Sequence, residues 1–147
     1  MGSYMKLSEA ELKRYNWQML MNGWGKEILK ELKASTVFIA GAGSLGSSVS
    51  IYLAAVGVGN IRIYDFDSVD LTNFNRQRQH DDTRISMNKA TSGKTTLERV
   101  NLEISITALC DKIADEKVDS LVGDADIIID FMDNFPTRYL LNNCAIR

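Results

Sequence analysis

The feature that most constrains this chain is a set of three closely spaced glycines that follow an apolar run. Residues 41–46 read Gly-Ala-Gly-Ser-Leu-Gly, directly after Thr-Val-Phe-Ile-Ala at residues 36–40. Between a strand and a helix, the first glycine permits a tight turn, the second admits phosphate to the backbone, and the third lets helix and strand pack closely. The pattern therefore predicts a buried parallel strand, then a phosphate-binding loop at the positive end of a helix.

Strand and helix patterns alternate along the rest of the chain. The predicted strands span residues 36–40, 60–64, 104–109 and 126–131, and the predicted helices span residues 45–56, 88–101, 115–122 and 136–147. We expect Leu45, Val49, Leu53 and Val56 to form the apolar stripe of the first of these helices. The mostly polar residues 68–86 are expected to form a long loop with one helical turn. Such alternation predicts an α/β fold, a Rossmann-like parallel sheet with flanking helices on both faces.

Two helices are predicted before the first strand. Ser8 and Glu11 form a capping-box pattern at the start of the first helix, which Asn-Gly at residues 22–23 ends. The second covers about residues 26–33, and Trp17 and Trp24 are expected to dock this pair of helices. We therefore divide the chain into an N-terminal helical segment, residues 1–34, and a Rossmann-like domain, residues 35–147.

Composition and charge disfavour several classes of protein. The 147 residues carry a formal net charge of −2, which is unsuited to coating nucleic acid or an anionic membrane. The sequence has no apolar run of about 18 residues and no N-terminal signal core, so we expect a cytoplasmic protein with no membrane partner. The only cysteines, Cys110 and Cys144, are too few for a four-cysteine zinc site, and we expect both to be buried thiols.

An acidic residue ends the second predicted strand. Asp65 lies about 20 residues after Gly46, where nucleotide-binding folds place a carboxylate that holds a ribose hydroxyl. The glycine loop and Asp65 fit NAD as well as ATP. Asp67 would place a second negative charge near a 2′-phosphate, which disfavours NADP. These residues together predict a nucleotide site without identifying the nucleotide.

Four spaced motifs resemble one known family. They are the glycine loop, Asp-Phe-Asp-Ser-Val-Asp-Leu-Thr-Asn-Phe-Asn-Arg-Gln at residues 65–77, Arg-Tyr-Asn-Trp-Gln at residues 14–18, and Phe-Met-Asp-Asn at residues 131–134. In this order and spacing they are similar to the ThiF/MoeB/HesA family, the relatives of ubiquitin-activating enzymes. Members bind ATP and Mg²⁺ and adenylate the C-terminal carboxylate of a ubiquitin-like or sulfur-carrier protein that ends in Gly-Gly. A minority of members activate other carboxylates or modify tRNA.

The resemblance implies roles for individual residues. Gly41, Gly43 and Gly46 would form the nucleotide-binding loop. The remaining nucleotide contacts would come from charged and amide side chains: Asp65 would bind the ribose, and Asn73, Arg76 and Lys89 would contact the phosphates. Arg76 and Lys89 would also stabilise the charge of the transition state. Asp133 would hold Mg²⁺ at the carboxyl edge of the sheet.

Other residues have less direct roles under the resemblance. Arg14 would reach into the nucleotide site of a neighbouring subunit, which implies a homodimer, and Gln77 and Asn134 would orient other groups. Taken singly, each basic residue of the motifs is a typical solvated charge, and Asp133 with Asn134 is typical of a turn into a helix. Only their joint occurrence with the glycine loop favours a site. His80, the only histidine, is predicted to be a surface residue rather than a general base.

Two departures from the family pattern bear on activity. Trp17 stands where many relatives carry a second arginine. The sequence ends at Arg147, where relatives continue into further strands, a crossover loop and zinc-binding Cys-x-x-Cys pairs, so we expect a partial domain without a zinc site. Neither Cys110 nor Cys144 occupies the position of the family's acceptor cysteine. The alternatives are an ATP-binding dimeric module without catalysis and an NAD-binding dehydrogenase domain. A nucleic acid partner is not expected, although tRNA-modifying relatives keep that question open.

Overall fold

A computed structural model describes residues 6–113 and 115–146 of the chain. Four parallel strands form one sheet in the order β3-β2-β1-β4; they are β1 (Thr36–Ala40), β2 (Asn60–Tyr64), β3 (Ser105–Leu109) and β4 (Ile127–Asp130). The helices are α1 (Glu9–Arg14), α2 (Asn16–Met19), α3 (Lys26–Ala34), α4 (Ser44–Val56), α5 (Lys89–Val100), α6 (Asp115–Val122) and α7 (Phe135–Ala145). Two 3-10 turns, Leu71–Asn73 and Asp82–Arg84, follow β2, where one helical turn was predicted. The predicted Rossmann-like parallel sheet with flanking helices is confirmed.

The central strand β1 is buried on both of its faces. Val37 and Ile39 pack in a core that includes residues of α4 and α5, whereas Phe38 and Ala40 pack in a second core with residues of α6 and α7. Successive side chains of a strand point to opposite faces, so a continuous apolar run supplies both cores at once. This arrangement fixes β1 in the middle of the sheet, with the glycine loop directly after it.

The helix after the glycine loop packs through small residues. Its buried positions are Gly46, Ser47, Ser50 and Ala54, whereas Leu45 is 66% exposed. The predicted stripe is therefore wrong at Leu45, whereas Leu53 and Val56 are partly buried and pack against the core as expected. The start of α4 lies so close to the loop backbone that a larger side chain on its inner face would collide with it, and the apolar side chain at position 45 turns outward instead.

The N-terminal helices attach to the sheet domain through Tyr15 and Gln18. The buried Tyr15 hydroxyl accepts a hydrogen bond of 2.7 Å from Asn101 Nδ2, and Gln18 Nε2 donates at 3.1 Å to the carbonyl of the last residue of α4. Tyr15 also separates α1 from α2, so the single helix predicted to end at residues 22–23 is two short ones. Trp17 is 80% exposed, and its predicted docking role was wrong.

Two further expectations concern the thiols and the membrane. Cys110 is exposed and Cys144 is half-buried, so the expected burial of both thiols was wrong. Cys110 follows an edge strand of the sheet, where packing on both sides ends. Among the residues that the structure describes, no helix combines the length and apolar character needed to cross a bilayer.

A buried ion pair ties α1 to α3. Glu11 is 2% exposed, and its carboxylate accepts hydrogen bonds from Ser8 N at 2.6 Å and from Lys33 Nζ at 2.8 Å. Burial opposes the charged form of Glu11. The Lys33 ammonium and the Ser8 N–H outweigh it, and the pKa of Glu11 lies below its ordinary value.

Replacing Glu11 with glutamine is expected to lower the free energy of unfolding by about 1–2 kcal/mol at pH 7, because Lys33 loses its anionic partner and keeps the Lys6 carbonyl. A depressed folded pKa contributes stability above the unfolded pKa and loses it as the pH falls through the folded value. In urea unfolding, the difference between variant and wild type should therefore shrink as the pH falls below the ordinary pKa of glutamate. Glu27→Gln is the matched control, since Glu27 forms a pair with Lys30 in which it is 78% exposed, and should cost less than about 0.5 kcal/mol. Equal losses in both variants would contradict this account.

Candidate functional site

A cleft of about 390 Å³ opens at the carboxyl edge of the sheet. It lies where β1 and β4 are neighbours and where the chain switches faces, since α4 packs on one side of the sheet and α6 on the other. Such switch points are where open α/β sheets bind ligands. The residues that line the cleft are Gly41, Gly43, Ser44, Leu45, Gly46, Asp65, Phe66, Asp67, Asn73, Arg76, Gln77, Lys89, Phe131, Met132 and Asp133.

All of the predicted site residues except Arg14 line this one cleft. Gln77, which was expected to orient other groups, lines it too. Asn134 instead caps α7 and accepts a hydrogen bond of 3.0 Å from Thr137 N. Arg14 is exposed on α1 and donates at 3.3 Å to Val100 O. The structure therefore brings together groups from the glycine loop, the segment after β2, the start of α5 and the segment after β4.

The glycines of the loop differ in what their packing requires. A Cβ at Gly46 would overlap the carbonyl oxygen of Gly41 and lie 2.8 Å from its carbonyl carbon, so the backbones approach too closely for any side chain. A Cβ at Gly43 would meet, among the described residues, only Gln77 Nε2 at 3.9 Å, which is ordinary contact. Protein packing therefore does not require glycine at position 43, and the space there belongs to the cleft.

The amino end of α4 faces this space without a side-chain cap. Gly43 is the N-cap, and the first helical hydrogen bond runs from Ser47 N to Gly43 O at 2.8 Å. The N–H groups of the first turn precede that bond, and a helix leaves such groups for a capping side chain, water or an anion. Aligned peptide dipoles also give this end a partial positive charge. The arrangement is suited to binding an anion such as phosphate.

Asp65 organises the loop from the end of β2. Its Oδ2 accepts a hydrogen bond of 2.8 Å from Ala42 N, and its Oδ1 accepts one of 2.9 Å from Asp67 N. The side chain is almost fully buried, and burial raises the pKa of Asp65 above its ordinary value, although the two N–H donors and Lys89 oppose this. A carboxylate has about four acceptor positions, so these contacts leave it able to accept from a ribose hydroxyl as well.

Two cationic side chains reach the cleft from different elements. Lys89 begins α5, is 8% exposed, and places its Nζ 3.3 Å from Asp67 Oδ2. Arg76 is exposed, and its Nη1 donates at 2.8 Å to Thr72 O and at 2.9 Å to Asn75 Oδ1. Hydrogen bonds to the local backbone and amide hold the guanidinium of Arg76 at the cleft. Two fixed cations beside an uncapped helix terminus can neutralise a polyanion.

The cleft also carries groups suited to a bound ion or nucleotide. The Oε1 of Gln77 is buried and has no hydrogen-bond partner within residues 6–113 and 115–146, which a ligand or water would supply. Asp133 is an exposed carboxylate that lines the same cleft. In that same part of the chain, no group of three or more His, Cys, Asp or Glu is arranged to hold a metal. Mg²⁺ commonly takes one carboxylate and completes its shell with phosphate oxygens and water, so Asp133 fits such an ion when a nucleotide is present.

The prediction that His80 lies on the surface was wrong. His80 is buried, with Nε2 3.1 Å from Ala42 O and Nδ1 2.9 Å from Ser92 Oγ. Burial and the positive charges of Lys89 and Arg84 lower the pKa of His80. Its contacts are 38 and 12 residues away in sequence, so no local pattern in the polar segment marked it as buried.

Comparison with known proteins places these features in context. The sequence model of the ThiF family matches residues 15–147. The molybdopterin-synthase adenylyltransferase of Haemophilus influenzae is 40% identical over 138 residues, which cover 94% of this chain and 57% of that protein. The adenylyltransferase and sulfurtransferase MOCS3 of Anopheles gambiae is 36% identical over 141 residues, which cover 96% of this chain and 32% of that protein.

A solved structure has a similar fold. E. coli MccB, crystallised with ATP, is 30% identical and superposes with a TM-score of 0.77 over 99% of this chain and 43% of its own. The chain thus spans about half or less of the length of these similar proteins.

Proposed function

The chain belongs to the ThiF family, and from that premise we propose that it supplies the nucleotide site of an adenylyltransferase. The reaction is the ATP-dependent adenylation of the C-terminal carboxylate of a ubiquitin-like or sulfur-carrier protein. The observation that carries the proposal is the joint placement of the glycine loop, Arg76, Lys89 and Asp133 around one cleft. The names of the adenylyltransferase relatives and the ATP complex of MccB support it.

The charges of the cleft suit this reaction. A carboxylate oxygen forms a bond to the α-phosphorus, the bond from that phosphorus to the bridging oxygen breaks, and pyrophosphate leaves with the electron pair. Both reactants are anions, so fixed cations lower the cost of bringing them together. Lys89, which pairs with Asp67 in the free protein, would exchange this partner for phosphate oxygens. Arg76 would contact the same phosphates from the segment after β2.

The remaining contacts would orient the nucleotide. The N-terminal turn of α4 would bind phosphate at Gly43, where no side chain fills the space. Asn73 already accepts a hydrogen bond of 2.9 Å from Asp70 N through its side-chain oxygen, so its amide donor is the end that would meet a phosphate. Asp65 would accept from the ribose. Asp133 would hold Mg²⁺, which when bound supplies Lewis-acid stabilisation of phosphoryl charge.

Residues of the N-terminal segment, outside the cleft, bear on the protein partners of this chain. Arg14 does not line the cleft of its own chain, and its exposed position on α1 is compatible with the family role of entering the site of a second copy. We therefore propose a homodimer. The exposed side chains of Trp17 and Leu20, on the same N-terminal segment, support a protein contact there. The carrier protein would present a flexible Gly-Gly terminus, which is thin enough to reach the α-phosphate inside the cleft.

The proposal is tested by ATP–pyrophosphate exchange with the product of the whole gene that encodes this chain. Exchange is expected only when ATP, Mg²⁺ and a carrier protein ending in Gly-Gly are all present. The same carrier with its terminal glycine removed is the control and should give none. Tight ATP binding without exchange by any such carrier would favour a non-catalytic ATP-binding module instead.

A further inference from the structure

A buried histidine, His80, forms a hydrogen bond with the backbone of the glycine loop. We propose that His80 is a positioning residue of the nucleotide site, which fixes the Ala42 peptide and thereby the direction of the N–H groups that follow it. This inference rests on the proposed function for its ligand, ATP. It assigns His80 no contact with the nucleotide, since His80 is absent from the residues that line the cleft.

The Ala42 residue is fixed on both sides. Its N–H donates to Asp65 Oδ2 at 2.8 Å, and its carbonyl oxygen accepts from His80 Nε2 at 3.1 Å and from Ser47 Oγ at 3.0 Å. Ala42 is fully buried, so water does not compete for these groups. The carbonyl of residue 42 and the N–H of Gly43 belong to one rigid peptide plane. A donor that orients the carbonyl therefore also orients the Gly43 N–H at the cleft.

The partners of His80 define its tautomer. The Ala42 carbonyl can only accept, so Nε2 carries the hydrogen and Nδ1 of the neutral ring accepts from the Ser92 hydroxyl. Arg84 holds this side of the network: its Nη1 donates at 2.9 Å to Ser92 O and at 3.0 Å to Gln79 O. The ring is thus held between the glycine loop and α5 by a hydrogen bond at each nitrogen.

The histidine also belongs to the segment that supplies the phosphate-facing side chains. Gln77 N donates to Asn73 O at 2.8 Å, and His80 N donates to Gln77 O at 3.3 Å, so successive turns connect the three residues. One segment therefore both lines the cleft and contacts the glycine loop. This geometry links the position of the loop N–H groups to that of the phosphate-facing residues.

The test compares His80→Leu with His80→Gln. Leucine removes the donor, whereas glutamine can place its amide nitrogen near the position of Nε2. We expect His80→Leu to weaken ATP·Mg²⁺ binding by about tenfold in calorimetry and His80→Gln by less than about threefold. The Gly43 amide resonance should shift in the nucleotide-free leucine variant and return toward the wild-type position in the glutamine variant. A purely structural role would lower thermal stability in both variants without this split.

Two results would overturn the inference: a folded His80→Leu protein that binds ATP as tightly as wild type, or a glutamine variant as weak as the leucine variant. If His80→Leu does not fold, Ser92→Ala decides, since alanine suits α5 and removes the hydroxyl that partners Nδ1, while Arg84 keeps its stronger hydrogen bond to the Ser92 carbonyl. Ser92→Ala should weaken ATP binding by about threefold, whereas the control Ser120→Ala, at an exposed position on α6, should leave it unchanged. Equal ATP affinities of Ser92→Ala and wild type would contradict the proposed role of His80. If the wild-type protein does not bind ATP, the proposed function fails. The Gly43 amide resonance of the variants then still tests whether His80 orients the Gly43 N–H group.

Discussion

Replacing Gly46 with alanine should lower the free energy of unfolding by about 3 kcal/mol or more and abolish ATP binding. The added methyl group would overlap the carbonyl oxygen of Gly41, and neither partner is a flexible side chain that can move away. Removing this overlap requires the start of α4 to move away from the end of β1. That shift would redirect the N–H groups of the helix terminus and open the core between helix and strand. Urea unfolding and calorimetric titration with ATP·Mg²⁺ measure the two effects.

Gly43→Ala is the matched control for this result. Its methyl group would meet Gln77 Nε2 only at ordinary contact distance, so the fold should tolerate it with a change of less than about 1 kcal/mol. The methyl group would occupy the space where phosphate approaches the helix terminus, and ATP affinity should fall by at least about tenfold. A native-like Gly46→Ala protein with unchanged ATP affinity would contradict the assignment of this loop. A Gly43→Ala protein that fails to fold would contradict the distinction between the two positions.

Asp133→Asn is expected to reduce Mg²⁺-dependent ATP–pyrophosphate exchange by about a hundredfold or more, with a change in ATP affinity of less than about fivefold. Asparagine keeps the shape of the side chain but removes the negative charge that a divalent cation needs. ATP would still meet the helix terminus, Arg76 and Lys89 in the variant. The loss should therefore appear mainly in the rate of exchange at saturating ATP rather than in the dissociation constant.

Asp124→Asn provides the comparison at the other end of the same strand. Asp124 precedes β4 and pairs with Arg62, whereas Asp133 follows β4 at the cleft. Exchange by Asp124→Asn should stay within about twofold of wild type, since surface pairs contribute little. The assignment of Asp133 would be lost if both variants kept full exchange, or if Asp133→Asn lost ATP affinity and exchange in equal proportion.

The strands and the glycine loop could be predicted because short-range patterns determine them. The apolar run of β1 supplies both cores, and the following glycines lie where backbone approaches backbone, at Gly46, or borders the cleft, at Gly43. The bounds of β1 and β2 match the predicted residues. The position of the cleft follows from topology alone, since loops after parallel strands share one edge.

The parts that could not be predicted depend on contacts between distant residues. A hydrophobic stripe is the usual sign of a buried helix face, but α4 buries Ser47 and Ser50 because their hydroxyls bond to nearby carbonyls in a narrow space. The polar segment after β2 was predicted to be a long loop with His80 on the surface. Its Arg84 and His80 instead hydrogen-bond to α5 and to the glycine loop. Polar residues satisfied by partners far along the chain have no signature in local composition.

We propose that the cleft at the carboxyl edge of the sheet is an ATP·Mg²⁺ site. Calorimetric titration of the protein with ATP in the presence and absence of Mg²⁺, and with NAD⁺ under identical conditions, tests it most directly. The account predicts saturable ATP binding that Mg²⁺ strengthens and that Gly43→Ala weakens, with no measurable heat from NAD⁺. Saturable binding of NAD⁺ together with no binding of ATP·Mg²⁺ would contradict it.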